Sequence, residues 1–384
     1  MADVYAPRGG RDLPPARAHA GALQRLWTGF TVERGARKPG YLAAAPARAA
    51  YVLYYTVTTA GSVVAALELA RASGWQPRAQ DAEAPLRVLD LGAGSLGASM
   101  GVAAALGPRP LEVTALDGTA AVLADGAAIF EHFAPGVRVR TGRVDLRDAL
   151  ALSRAKVGRF DLVLCANVLN ELPEARPGQA SAAERLVERV LRDHLAPGGA
   201  LLLLEPATRM GSLGVIALRE ALLAEGNARV VAPCTHEAAC PLAEQRRDWC
   251  FFDVPWRAPN VVRACDDILG HGRSSLKASW LMLGAAADTT TDTTSAAGSG
   301  LPARVVGGEM RAGPLVRRYL CTSEGRLCAR AEALSTPTWM RAPGRGFRIE
   351  VAGDARRETG RNGEVEVVVA APRTPSAPEP RRRR

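Results

Sequence analysis

The sequence predicts an α/β fold: a parallel sheet with helices on both faces, preceded by a helical cap and followed by a cysteine-rich β extension. Three observations predict it. Apolar strand-length runs alternate with helix-length stretches from Leu86 to Glu225, the pattern of βα units. A glycine-rich turn, Gly92-Ala93-Gly94-Ser95-Leu96-Gly97, follows the first of these runs. After Arg229 the alternation stops, and cysteine-rich loop sequence gives way to short β-like runs.

The elements follow in chain order. Residues 1–40 are expected to be a flexible segment, and Asp3, Asp12 and the adjacent Pro14 and Pro15 make them a poor transit peptide. Apolar residues along Tyr51, Tyr54, Tyr55, Val63, Leu67 and Leu69 predict a helical cap over 41–80, interrupted by the β-branched stretch Thr56-Val57-Thr58-Thr59. A core over 81–228 places strands at Leu86–Leu91, Leu111–Leu116, Val137–Thr141, Phe160–Ala166 and Ala200–Glu205. Helices at Gly97–Leu106, Thr119–Phe133, Ala182–Leu195 and Leu213–Glu225 alternate with them. The cysteine-rich extension covers 229–335, with β-like runs at Lys277–Leu283, Arg304–Val306 and Leu315–Cys321; within it, 285–302 is a threonine-rich linker loop. Residues 336–384 read as a C-terminal β segment and a disordered basic tail ending in Arg381 to Arg384.

With 384 residues, 47% of them apolar and 23% charged, the chain has room for one large or two ordinary globular domains. A net charge of +10, carried mostly by arginine, favours a polyanionic partner, of which nucleic acid is the commonest. No run approaches the ~18 apolar residues of a membrane span, so no membrane is expected. The seven cysteines are odd in number with no secretory leader ahead of them. That argues for metal ligation in a reducing compartment rather than a disulfide framework.

Val88-Leu89-Asp90-Leu91 runs as a buried strand into the glycine turn, which opens a helix. Glycines let backbone approach a ligand there, and a helix N-terminus offers free N–H groups. Gly92, Gly94 and Gly97 also fit the dinucleotide fingerprint. Asp90 separates the two readings: a carboxylate at the strand end repels a pyrophosphate but favours the sulfonium and ammonium of S-adenosylmethionine. Asp117, at the tip of the next strand, is placed for ribose hydroxyls, and Asp145 sits where methyltransferases commonly contact adenine. Phe160-Asp161-Leu162-Val163 and the Pro197-Gly198-Gly199 turn match the later strands of that fold. The sequence therefore predicts a Rossmann-like S-adenosylmethionine-dependent methyltransferase fold, with Asp90, Gly92, Gly94, Gly97, Asp117, Asp145 and Asn167 binding the cofactor.

No catalytic residue is legible. Cys165-Ala166-Asn167-Val168-Leu169-Asn170-Glu171-Leu172 is neither the Asn/Asp-Pro-Pro-aromatic motif of amino-group methylation nor the Pro-Cys of cytosine C5 methylation. Cys165 reads as a core cysteine. Asn167, Asn170 and Glu171 either orient a substrate or cap the helix that follows.

Cys234 and Cys240 are separated by five residues, and Cys240 and Cys250 by nine. Loose loop spacing closed by a distant cysteine fits either tetrahedral zinc or a 4Fe-4S cluster. The fourth ligand comes from Cys321, Cys328 or Cys265, with His236 an alternative for zinc. Cys321 ends an apolar strand, a rigid platform, and is preferred over Cys328 beyond the Glu324-Gly325 turn.

The Asp90-to-Gly94 loop, Val168-Leu169-Asn170-Glu171-Leu172, Glu205-Pro206-Ala207-Thr208, Ala232-Pro233-Cys234-Thr235-His236 with Cys240-Pro241, and Asp248-Trp249-Cys250-Phe251-Phe252 resemble the Rsm22-like family of methyltransferase-like proteins of the small ribosomal subunit. The resemblance covers roughly residues 40 to 330, and the cysteine block is its specific part. It implies a factor of small-subunit assembly or translation that binds S-adenosylmethionine and rRNA and holds a 4Fe-4S cluster on Cys234, Cys240, Cys250 and Cys321. It also implies a chain that is monomeric when free, in a bacterial cytoplasm or a mitochondrial matrix. Ala207 departs from the family's Glu-Pro-Gly-Thr pattern, and the threonine-rich linker lengthens the approach to Cys321. A non-catalytic ribosome-binding scaffold and a small-molecule methyltransferase with a zinc site are the alternatives.

Overall fold

Strands covered on both faces need continuous apolar runs, and the chain supplies them in series. The structure is a computed structural model that describes residues 15–31, 40–77, 84–148, 150–173, 179–245, 248–286, 300–332, 336, 340, 345–352, 355–359 and 365–368. The runs become β1 (Leu86–Leu91), β2 (Leu111–Asp117), β4 (Phe160–Ala166) and β5 (Leu195–Pro206), and the polar, exposed edge strand β3 (Arg138–Arg143) pairs with β2, all of them parallel. Three further strands, β6 (Ala228–Ala232), β7 (Phe252–Pro255) and β8 (Ser275–Ala285), complete an eight-stranded sheet of order β3-β2-β1-β4-β5-β8-β6, with β7 also pairing β8. The run at Lys277–Leu283, expected in the extension, thus inserts antiparallel between β5 and β6. Its residues from Ala278 to Gly284 are buried without alternation, and only a central position in a covered sheet satisfies that pattern.

The long helices are α1 (Ala20–Thr31), α2 (Ala45–Ala72), α3 (Gly97–Leu106), α4 (Ala120–Phe133), α5 (Ala182–Arg189), α6 (Arg209–Ala224) and α7 (Asn260–Leu269). Where the β-branched stretch suggested a break, α2 continues through a π-helical turn at Val52–Thr56. Helix α2 is also long and apolar enough to cross a membrane, which the sequence reading did not anticipate. Its apolar surface is instead spent inside the protein: Val63, Ala66, Leu67 and Ala70 are buried in the sheet's core, each Val or Leu contributing about 1.5–3 kcal/mol. Part of the N-terminal segment expected to be flexible is α1, because Leu23 and Leu26 fall on one face and bury against Leu53, Tyr54 and Val262. Helices α1, α2 and α7 together form the cap over one end of the sheet.

A second sheet follows, built from β9 (Leu301–Val305), β10 (Met310–Ala312), β11 (Leu315–Thr322), β12 (Gly325–Glu332), β13 (Arg348–Val351), β14 (Arg357–Thr359) and β15 (Val365–Val368). Its order is β13-β9-β11-β12-β15-β14, with β10 on β11, and its own core gathers around Val305, Leu320, Leu327 and Val367. Most of the linker loop and the basic tail lie outside the described residues.

Candidate functional site

A cavity of about 540 Å³ opens over the C-terminal ends of β1, β2, β4 and β5 and is roofed by the cap. Ligands of parallel α/β sheets bind at this edge. The glycine turn floors it. Gly92 adopts φ +67°, and a Cβ there would collide with the Val168 side chain. A Cβ on Gly97 would stand 2.8 Å from the Thr56 carbonyl of α2. A hydrogen bond between Thr56 and Ser95 then ties the π-helical turn to the loop.

The structure distributes the expected cofactor residues over two layers. Gly92, Gly94, Asp117, Asp145 and Asn167 line the cavity. Asp117 accepts from the Gly94 N–H at 2.9 Å and the Thr119 N–H at 2.8 Å, and burial raises its pKa. Asn167 sits at φ +60° in the turn after β4, its N–H donating to the Leu204 carbonyl at 2.7 Å. Asp145 lies exposed at the rim, both oxygens engaged by Arg147, a pairing that lowers its pKa. Asp90 and Gly97 lie one layer below, around a void of about 10 Å³. Asp90 is 1% exposed and accepts from the Ser99 hydroxyl at 2.6 Å and the Ser99 N–H at 3.2 Å, anchoring the first turn of α3. Burial pushes its pKa up to about 7 against those hydrogen bonds.

Sequence reasoning missed other cavity residues. Glu205, at the end of β5, is 2% exposed and accepts from the Leu169 N–H at 2.8 Å and the Asn170 amide at 2.6 Å. Burial raises its pKa to about 7. Tyr51 and Tyr55, read as apolar cap positions, stack at 5.4 Å with Phe30 edge-on to Tyr55 at 4.7 Å, and all three line the cavity. Their i, i+4 spacing was the available signal. Burial, then Glu171 and Asp117, push the Tyr51 hydroxyl up. Glu171 accepts from the Tyr41 hydroxyl at 3.4 Å. The lining cations Arg147, Arg273 and Lys277 are each paired with a carboxylate, Asp145, Asp266 and Asp253.

Far along the chain from the glycine turn, Cys234, Cys240, Cys250 and Cys321 converge where α6, the loop after β6 and β11 meet. Burial pushes the Cys321 thiol up, and Cys234, Cys250 and Cys240 each push it further. Burial likewise raises Cys234, and raises Cys240 to about 12. Buried Arg304 donates to the Cys250 Sγ at 3.1 Å, the His236 Nε2 lies 3.4 Å from the Cys321 Sγ, and buried Arg219 donates to the His236 and Ala238 carbonyls. Arg219 Nε, Arg304 Nη2, His236 Nδ1 and Arg345 Nε are buried without a hydrogen-bond partner. Four thiols ringed by unsatisfied donors fit an anionic, sulfur-rich group. Among the described residues no three His, Cys, Asp or Glu side chains are arranged to hold a metal ion. Cys265 lies in the cap core and Cys165 within β4, both buried, whereas Cys328 faces Tyr319 across the β11–β12 ladder.

The family described as mitochondrial small ribosomal subunit Rsm22 matches residues 47–336, a span that includes both the glycine turn and all four cysteines. The chain belongs to this family. The resemblance read from the cysteine block is thereby borne out. No protein with a curated description matches significantly. Among solved structures, an O-methyltransferase family protein from Burkholderia thailandensis is 20% identical, with 54% of this chain and 57% of that one covered and a TM-score of 0.34. The chain thus spans just over half the length of that relative. The CurJ carbon methyltransferase is 17% identical over 71% of this chain and 68% of its own, at a TM-score of 0.39. The glycopeptide N-methyltransferase MtfA complexed with S-adenosyl-L-methionine is 18% identical over 58% and 92%, at 0.33.

Proposed function

We propose that this chain is a methyltransferase-like protein of the small ribosomal subunit that binds S-adenosylmethionine over the glycine turn, contacts rRNA and holds a 4Fe-4S cluster on Cys234, Cys240, Cys250 and Cys321. The observation that carries the cofactor reading is the cavity itself: glycine-floored, at the strand ends, and lined by Asp117, Glu171 and Glu205 in a chain of net charge +10. Carboxylates there favour a cationic ligand. When bound, S-adenosylmethionine supplies an electrophilic methyl group. Gly92 and Gly94 admit its backbone-close approach, and Asp117, whose oxygens keep further lone pairs, accepts from ribose hydroxyls. Asp90 acts indirectly, by fixing α3 beneath the loop.

The cluster reading is supported by the convergence of the four thiols and by the buried donors around them, since hydrogen bonds to sulfur and nearby cations stabilise an anionic cluster. Family membership and the arginine excess support the RNA reading. Anaerobic purification followed by iron, sulfide and bound-RNA analysis tests both. Stoichiometric iron and sulfide with absorption near ~400 nm is expected, and a colourless, iron-free protein would remove the cluster. RNA affinity should fall steeply with salt, whereas a flat response would remove phosphate contacts.

A non-catalytic scaffold is favoured by one observation: Asn170 and the Leu169 N–H, in the segment after β4 where an acceptor would be oriented, are committed to Glu205. Absence of methyl transfer from labelled S-adenosylmethionine to small-subunit RNA, with cofactor binding intact, would select it.

A further inference from the structure

Arg304 is a buried charge that the fold turns toward the thiols. It stands on β9 directly opposite Cys321 of β11, so the two side chains share one face of the second sheet. It is 2% exposed, donates through Nη1 to the Cys250 Sγ at 3.1 Å and reaches the Gly346 carbonyl through Nε at 3.4 Å. Its Nη2 is buried without a hydrogen-bond partner. Among the described residues no carboxylate pairs with Arg304, whereas Arg219 shares Glu220 and Arg345 feels the charge of Asp248.

A buried guanidinium is costly unless an anion meets it. The groups placed to supply that anion are the thiols. Besides its hydrogen bond to Cys250, the Arg304 charge opposes the upward push of burial on Cys234 and Cys321, so it acts on three of the four sulfurs. Nor is Cys250 free to drift. Its N–H donates to the Ser212 hydroxyl at 2.8 Å, and its carbonyl accepts from the Ser212 and Ser279 hydroxyls at 2.8 Å each. Binding through four thiolates needs only the thiolates. A cation fixed on a ligand sulfur in a dry site also favours whichever form of the bound group carries more negative charge, and potentials of iron-sulfur groups follow such hydrogen bonds and charges.

We propose that Arg304, acting through Cys250 as a positioning residue, favours the reduced form of the iron-sulfur group on the four thiols and makes the site a one-electron acceptor as well as a staple between the two sheets. This role rests on the cluster reading of the function. One electron enters per group, no bond forms or breaks, and in the test below dithionite supplies the electron.

The anaerobically purified full chain, titrated with dithionite and mediator dyes and followed by electron paramagnetic resonance, gives the midpoint potential, with iron and sulfide measured on the same sample. Arg304→Gln keeps an N–H donor and removes the charge. At a fixed potential it should lower the ratio of reduced to oxidised group about tenfold or more, a fall of about 59 mV or more for one electron, with iron and sulfide unchanged. Arg304→Lys keeps the charge and should hold that ratio within ~3-fold of wild type. Fully loaded variants that both keep the wild-type midpoint would overturn the role, as would loss of iron from both, which would make Arg304 a packing residue. A wild type carrying zinc or no metal would remove the cluster reading and this role together. A loaded wild type that dithionite cannot reduce would remove the role alone.

Discussion

The cavity over the glycine turn and the four-thiol site solve opposite electrostatic problems within one basic chain. At the cavity, carboxylates gather and each lining cation is neutralised by an acid, as with Arg147 on Asp145. At the thiols, buried guanidinium groups gather instead, and Arg304 donates directly to a sulfur. Net charge therefore says little about either site: the local field is set by which side chains each fold element turns inward. The two also differ in assembly. The cavity draws on turns after successive strands of one sheet, whereas the thiols arrive from the loop between β6 and β7 and from β11 of the second sheet.

Substitutions break this contrast at different points. The largest effect is expected for Gly92→Ala, which forces a Cβ into a left-handed turn and into Val168. It should destabilise the protein by about 2–3 kcal/mol in denaturant melts and abolish cofactor binding. Arg304→Met removes a buried donor to Cys250 and Gly346, and should cost about 2 kcal/mol in the same melts while leaving the cavity's ligand affinity unchanged.

The cavity side should also carry a pH signature. Glu205 and Asp90 have folded pKa values near 7, above their unfolded ones, so the folded state binds more protons between about pH 4.5 and 7. Their contribution to stability therefore falls as pH rises through that window, by up to about 1.4 kcal/mol per unit for each, and levels above it. Melting temperatures of Glu205→Gln should show a shallower decline from pH 5 to 7 than wild type. The smallest effect belongs to Asp145→Asn: its exposed pair with Arg147 should be worth no more than ~1 kcal/mol and should weaken further in salt.

What could be read from sequence followed the same division. The core strands and α3 were legible because burial on both faces writes continuous apolar runs, and the cysteine block because thiols in polar loops stand out. Three things were not. The placement of β8 depends on pairing partners 72 to 82 residues away, from Pro206 with Ala278 to Leu201 with Leu283, which periodicity does not encode. Helix α1 was masked by polar neighbours, although Leu23 and Leu26 carry its buried face. The layering of Asp90 beneath the loop depends on its hydrogen bonds to Ser99, a tertiary detail that a motif match overlooks. Glu205 had a signal in its Glu-Pro motif, but nothing local marks a strand-end carboxyl as buried.

Calorimetric titration of S-adenosylmethionine into wild type and Asp117→Asn tests the central claim most directly. The account predicts one-site binding by the wild type and a loss of about tenfold on Asp117→Asn, corresponding to ~1.4 kcal/mol for weakened ribose hydrogen bonds. No binding by a folded wild type, or equal binding by both proteins, would contradict it.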